Sequence, residues 1–196
     1  QALKARTLVM FNLFIRHWKE HVRESLQPLL VAYQSGLDTG DLEYAAISAY
    51  LYCFTSYSIG KELTGLELEM ASYSEAISQL KQEIALHRHE IYCPESLNLM
   101  GRAENPGRLI GESYDEQTML PLHLEANNRS ALYNLYLNKL VLCYLFQEYP
   151  QALENAARTE EYLDGVTGSI AVPLFHFYDS LVRLMVFSDA QKSEQK

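Results

Sequence analysis

The sequence predicts an all-α fold, built from antiparallel helix pairs stacked as a degenerate, right-handed array. Three observations carry this prediction. Apolar residues recur at three- and four-residue intervals, no segment sustains period-two alternation, and turn formers are scarce. The 196 residues include only 9 Gly and 6 Pro, well short of the roughly 12% usual for the two together. Where they do occur they cluster, and the clusters cut the chain into blocks of helix length.

Taken in order, block 2–18 carries Leu8, Phe11, Phe14, Ile15 and Trp18 at helical spacing. Block 21–35 carries Val22, Leu26, Leu29, Leu30 and Tyr33, with Pro28 confined to a first turn or a kink. Block 41–58 repeats Leu42, Ala45, Ala49 and Cys53 on one side and ends at Gly60. Thr64 and Glu67 read as a capping box. They open a long helix whose stripe, Leu66, Met70, Tyr73, Ile77, Leu80 and Ile84, alternates steps of four and three. Residues 94–111 form the least regular connection, with a short helix near 95–101, and Ser113 with Glu116 reads as a second capping box before block 114–126.

Block 129–147 is apolar nearly all round, broken only by Asn134, Asn138 and Lys139, which predicts a helix sandwiched between neighbours. Pro150 takes the first position of a helix running to Leu163, Gly165 ends it, and a last helix over 170–187 holds Pro173 within its first turn. The expected organisation is one domain over 1–187 followed by a disordered polar tail at 188–196. The start inside a helix reads as an excised piece of something larger.

Composition narrows the function classes. The net charge of −9 argues against a phosphate-tracking nucleic-acid binder, and 48% apolar with 21% charged residues excludes disorder. The apolar run 131–146 contains Asn134, Asn138 and Lys139, so no membrane insertion is expected. Cys53, Cys93 and Cys143 lie far apart and outside any C-x-x-C pair, which predicts reduced thiols in a cytoplasmic protein. No cofactor or metal site is predicted.

Internal similarity is visible. Leu42/Ala45/Ala49, Tyr73/Ala76/Leu80 and Tyr149/Ala152/Ala156 each place a small residue three after a large one and an apolar residue four later. This resembles the second helix of a tetratricopeptide repeat, whose period is roughly 34 residues. The segments Gly40-Asp41-Leu42-Glu43-Tyr44-Ala45 and Gln147-Glu148-Tyr149-Pro150-Gln151-Ala152 look like the turn that precedes it.

Longer stretches resemble a known family, the multi-sensor signal transduction kinases best known from cyanobacteria. The stretches are Tyr33-Gln34-Ser35-Gly36-Leu37-Asp38-Thr39-Gly40-Asp41-Leu42-Glu43-Tyr44-Ala45-Ala46, Asn105-Pro106-Gly107-Arg108-Leu109-Ile110-Gly111-Glu112, Tyr144-Leu145-Phe146-Gln147-Glu148-Tyr149-Pro150-Gln151-Ala152, Tyr162-Leu163-Asp164-Gly165-Val166-Thr167-Gly168 and Phe175-His176-Phe177-Tyr178-Asp179-Ser180-Leu181. In that family a Ser/Thr-kinase-like domain and an ATPase precede such a helical region, and GAF or PAS sensors and often a histidine kinase follow. The resemblance implies a non-catalytic interaction or coupling module that links ATPase and sensor domains or binds a partner protein or peptide. It transfers no kinase residue, since none of the kinase motifs falls within these residues.

Local motifs are weighed beside this. His89-Glu90-Ile91-Tyr92-Cys93-Pro94 reads like the phospho-acceptor box of histidine kinases, with His89 falling off the apolar stripe toward solvent. A phospho-acceptor fragment is therefore the alternative function, and a stand-alone peptide-binding repeat protein the other. His17-Trp18-Lys19-Glu20-His21 spells an inverted zinc-protease pattern in which two His share a helix face, but no third ligand is evident. His176, Asp179 and Ser180 lie on consecutive turns of one helix and make no triad. No catalytic residue is predicted. Partner-contact candidates are Tyr50, Phe54 and Tyr57, as aromatics of a concave groove, and Asn134 and Asn138, as clamps on an extended peptide.

Overall fold

The computed structural model describes residues 3–103 and 105–194, with side chains up to Phe187. Ala2, at the predicted start of the first helix, and residues 195–196 of the predicted tail lie outside the described residues. The fold is all-α. Among the described residues there is no strand, only an isolated antiparallel bridge between Ile110 and Asp115. The chain divides into two compact units, Gln1–Ser96 and Leu97–Lys196, where the sequence reading has one domain over 1–187. The change falls at the Pro- and Gly-rich stretch 94–111.

The first unit runs α1 (Lys4–Phe14), 3₁₀ turns at Arg16–Trp18 and Val22–Ser25, α2 (Leu26–Thr39), α3 (Leu42–Ser58), α4 (Leu63–Gln79) and α5 (Glu83–Glu90), and enters α6 (Tyr92–Leu99). Its centre is α3, which packs against α1, α2, α4 and α5. Ala45, Ala46, Ala49, Leu51, Cys53 and Phe54 are all buried there. Small residues set the closest approach. A Cβ placed on Gly36 of α2 would meet the Cβ and backbone nitrogen of Ala45 at 2.9 Å. Both helices come together through residues with almost no side chain, as the repeat reading of Ala45 expects.

The second unit contains α7 (Glu116–Glu125), α8 (Arg129–Leu145), α9 (Tyr149–Glu160), a 3₁₀ turn at Leu163–Val166 and α10 (Ala171–Glu194). The predicted sandwiched helix is α8, covered by α7, α9, α10 and the 3₁₀ turn. Its buried residues lie on every side, from Ala131 and Tyr133 to Leu140 and Cys143. Tyr133 donates its hydroxyl to the Ala171 carbonyl at 2.8 Å, and Lys139 reaches Glu116 at 2.9 Å. Gly165 sits where a Cβ would meet the Arg129 carbonyl carbon at 2.8 Å, so the turn lies directly on the start of α8.

One turn recurs four times. Gly40, Lys81, Asn127 and Gln147 are left-handed, with φ of 74°, 57°, 46° and 64°. The next residue, Asp41, Gln82, Asn128 or Glu148, is the N-cap of the following helix, with ψ between 60° and 77°. At Asn127 and Gln147 the amide pattern is that of a Schellman stop: Asn128 N–H to His123 O at 2.9 Å, Glu148 N–H to Cys143 O at 2.7 Å. Two of these turns are the predicted ones at 40–45 and 147–152. The predicted middle copy, Tyr73/Ala76/Leu80, instead falls inside α4 and is not a helix start.

Several boundaries differ from expectation. The long helix over 64–84 is broken: Lys81 reverses the chain and Ile84 is exposed. Only Leu80 is apolar between Ser78 and Glu83, so no stripe holds the helix through that stretch. The capping boxes are not formed either. Glu62, not Thr64, caps α4, accepting from Thr64 N–H at 2.8 Å and Gly65 N–H at 2.7 Å. Asp115, not Ser113, caps α7 through Gln117 N–H, while Glu116 accepts from Leu109 N–H at 3.1 Å. A carboxylate one or two residues away outcompetes the hydroxyl, because it is the stronger acceptor for an orphan amide. Finally, α10 continues to Glu194 rather than ending at 187, through residues free of Gly and Pro.

Candidate functional site

The aromatic candidates belong to the core of the first unit. Tyr50, Phe54 and Tyr57 stand at successive turns of α3, and all three rings meet Tyr92 of α6, with centroids 6.3, 5.3 and 6.1 Å away. Tyr50 and Phe54 are buried and Tyr57 half-buried. Phe54 and Tyr57 are thus covered by the protein's own Tyr92, while Tyr50 also borders an open cavity beside α5. Asn134 and Asn138 are likewise buried inside α8, only 3% and 2% exposed, and present no surface to an extended peptide. Burial of this kind follows from the packing of α3 and α8 between neighbouring helices.

His89 is corrected more sharply. It is 1% exposed, not solvated. Its Nε2 lies 2.8 Å from the Met70 carbonyl of α4. A carbonyl only accepts, so Nε2 carries the hydrogen and the ring is held neutral. Burial lowers its pKa, against partial support from that carbonyl. The other nitrogen, Nδ1, is buried without a hydrogen-bond partner. A ring this deeply buried offers neither nitrogen to a phosphate donor, so the geometry does not favour the acceptor reading. The break between α4 and α5 explains the error: after the Lys81 reversal the helix phase restarts, and His89 turns inward.

Beside it lies a residue the sequence reading missed. Glu95 of α6 has no exposed surface, and neither carboxyl oxygen reaches hydrogen-bond geometry with a partner among the described residues. Burial pushes its pKa up to about 8, while Tyr57 draws it down. Ser96, also buried, donates to the Tyr92 carbonyl at 3.1 Å and lies 3.7 Å from the Met70 sulfur. Glu90, half-buried, is pushed up to about 7 by the same desolvation. Glu95 follows Pro94 at the start of a short helix, which reads from sequence as a solvated first-turn acid. Nothing local marks it as buried.

The remaining motifs take structural roles. His17 sits in a 3₁₀ turn, whereas His21 is extended and accepts from Arg23 N–H at 3.1 Å, so the two do not share a helix face. Among the described residues no three His, Cys, Asp or Glu are grouped to hold a metal ion. Ser180 donates to the His176 carbonyl at 2.7 Å and Asp179 accepts from Arg183 at 2.8 Å, which leaves no triad. Cys53, Cys93 and Cys143 are free thiols, and burial pushes Cys143 up to about 11 and Cys53 higher. Low thiolate content makes both inert. Among the described residues no helix is long and apolar enough to cross a membrane.

Surface features stand apart from this core. A cavity of about 500 Å³ opens between α3 and the start of α5, lined by the predicted contact residue Tyr50 together with Glu43, Ile47, Lys81, Ile84 and Arg88. More unusual is α1. One face carries Ala5, Val9 and Asn12 into α2 and α3. The opposite face carries Leu3, Met10, Phe11 and Phe14, continued by Ile15 and Trp18, and all six are exposed. A helix apolar on two sides belongs between two neighbours, and here one side is covered. On α10, Phe177, Leu184 and Phe187 repeat the same uncovered spacing. No family model, curated protein or solved structure matches the chain.

Proposed function

We propose that the chain is a non-catalytic helical interaction and coupling module of a cytoplasmic multi-sensor signal-transduction kinase, joining ATPase and sensor domains or holding a partner protein. The observation that carries this reading is the two-sided α1. Its inner face is used up in the fold, and its outer face presents two phenylalanines, an isoleucine and a tryptophan to solvent, with Trp18 66% exposed. Contiguous apolar surface of that kind is retained where another protein covers it. The centres of both units are tightly filled, so the stacked helices serve as a stiff frame that carries the exposed faces, not as a container for a substrate. The family resemblance supplies the setting, and the titratable residues singled out from the sequence are occupied in packing and capping.

The test is direct binding. The immobilised 196-residue chain is offered separately expressed ATPase and sensor segments of such a kinase, in parallel with a Phe14→Asp/Ile15→Asp variant. The expected result is retention of at least one segment by the wild type and its loss in the variant, with unchanged helical circular dichroism in both. Equal retention by the two proteins, or by neither, sets the coupling role aside.

A further inference from the structure

Resting on the interaction reading above, we infer that the outer face of α1 and the Arg16–Trp18 turn docks an acidic amphipathic helix. Shape and charge both point there. Leu3, Met10, Phe11 and Phe14 form an exposed apolar side of α1, interrupted by the exposed Thr7, and Ile15 and Trp18 extend it into the following turn. Such a stripe is the width of one helix and accepts another laid along it. An 11-residue α1 is about 16 Å long, a span that three turns of a partner cover.

Charge selects the partner. Through position 24 the basic residues are Lys4, Arg6, Arg16, Lys19 and Arg23, against Glu20 and Glu24 alone, in a chain of net charge −9. Residues 1–24 thus carry a net charge of +3 while the rest of the chain carries −12. Two of these bases are engaged: Arg6 binds Asp41 at 2.8 Å, and Arg16 meets Glu20 at 3.2 Å while lying over the Phe11 ring. Lys4 borders a cavity that also holds Asp38, whereas Lys19 and Arg23 are exposed and form no ion pair among the described residues, so these two remain to meet carboxylates flanking a partner's apolar side. An anionic bilayer offers the same sign of charge. However, it is an extended surface, and a chain of net charge −9 is repelled by it as a whole. A single helix covers the stripe and meets only the basic rim, so charge complementarity favours protein over lipid.

Trp18, the one tryptophan in the chain, reports occupancy. The probe is a synthetic, tryptophan-free helical peptide with Leu at heptad core positions and Glu elsewhere, titrated into the full chain at low salt while Trp18 emission is followed. Its counterpart carries Lys in place of Glu. Saturable binding with a blue shift is expected for the Glu peptide and not for the Lys peptide. Lys19→Glu/Arg23→Glu should weaken it about tenfold, and Phe14→Ser/Ile15→Ser should abolish it with circular dichroism unchanged. Equal binding of both peptides, no binding of the Glu peptide, a blue shift only with phosphatidylserine vesicles, or one that follows the protein's own concentration in sedimentation overturns the inference. If the kinase segments are retained while the Glu peptide fails, the coupling role stands and only the acidic partner falls.

Discussion

Glu95 and His89 sit within one buried neighbourhood and bias stability with pH in opposite directions. The Glu95 carboxyl, pushed up to about 8 by burial, keeps its proton in the fold while the unfolded chain releases it in the ordinary glutamate range. Its contribution is therefore full below that range, declines as pH rises from about 5 to about 8, and is flat above. Glu95→Gln keeps the shape without the titration. In urea melts at pH 7 it should exceed the wild type by on the order of 2–3 kcal/mol, with the gap closing near pH 5. A gap that widens toward acid contradicts a buried, protonated carboxyl. For His89 the folded pKa is lowered, so its contribution is present above about 6.5 and is lost as pH falls through the folded value. His89→Ala removes a buried ring and orphans the Met70 carbonyl, which should cost about 2–4 kcal/mol. Read as a solvated residue from sequence, it would cost at most about 0.5 kcal/mol. The size of the loss in a denaturant melt decides between the two.

At the scale of elements, small residues and left-handed stops govern how the helices meet. Ala45 and Ala152 are fully buried, and the Gly36 contact shows how little room α2 leaves α3. Ala45→Leu and Ala152→Leu should each lower stability by about 1–3 kcal/mol, as overpacking does. Melts matching the wild type would remove both positions from the helix seams. Gly40 isolates the backbone contribution, since a Cβ there meets nothing within 4 Å while φ is 74°. Gly40→Ala should therefore cost about 1 kcal/mol from conformation alone, and Gln147→Gly, at the equivalent turn with φ of 64°, should recover a few tenths to about 1 kcal/mol. The pair of opposite signs, measured by thermal melts, is the check. These turns were half legible in the sequence. Gly40 and the Pro150 that follows Gln147 mark two of them, whereas Lys81 and Asn127 adopt the left-handed form with no glycine to announce it.

At the scale of the molecule, the division at Ser96 and Leu97 predicts where the chain opens first. The described residues of 101–113 lack regular helix, and Arg102 and Arg108 are exposed. Brief trypsin treatment should cut there before it cuts within α2 or α8, giving two fragments by mass spectrometry. First cuts inside α3 or α8 would mean that the two units are not separately compact. Far-ultraviolet circular dichroism should show helix without a sheet component.

The sequence by itself determined the helical class, the all-round burial of α8, the small-residue seam at Ala45 and the turns at 40–45 and 147–152. Each of these follows from local spacing or from a side chain's size, which do not depend on what lies across the fold. Tertiary structure decided the rest. Tyr92 closes over Tyr50, Phe54 and Tyr57, Lys81 restarts the helix phase and turns His89 onto Met70, and Glu95 loses all contact with water. Such outcomes depend on which neighbour arrives at a face, and helical periodicity marks that a face is apolar or polar without saying what will cover it. The same reason leaves the outer side of α1 apolar and uncovered among the described residues.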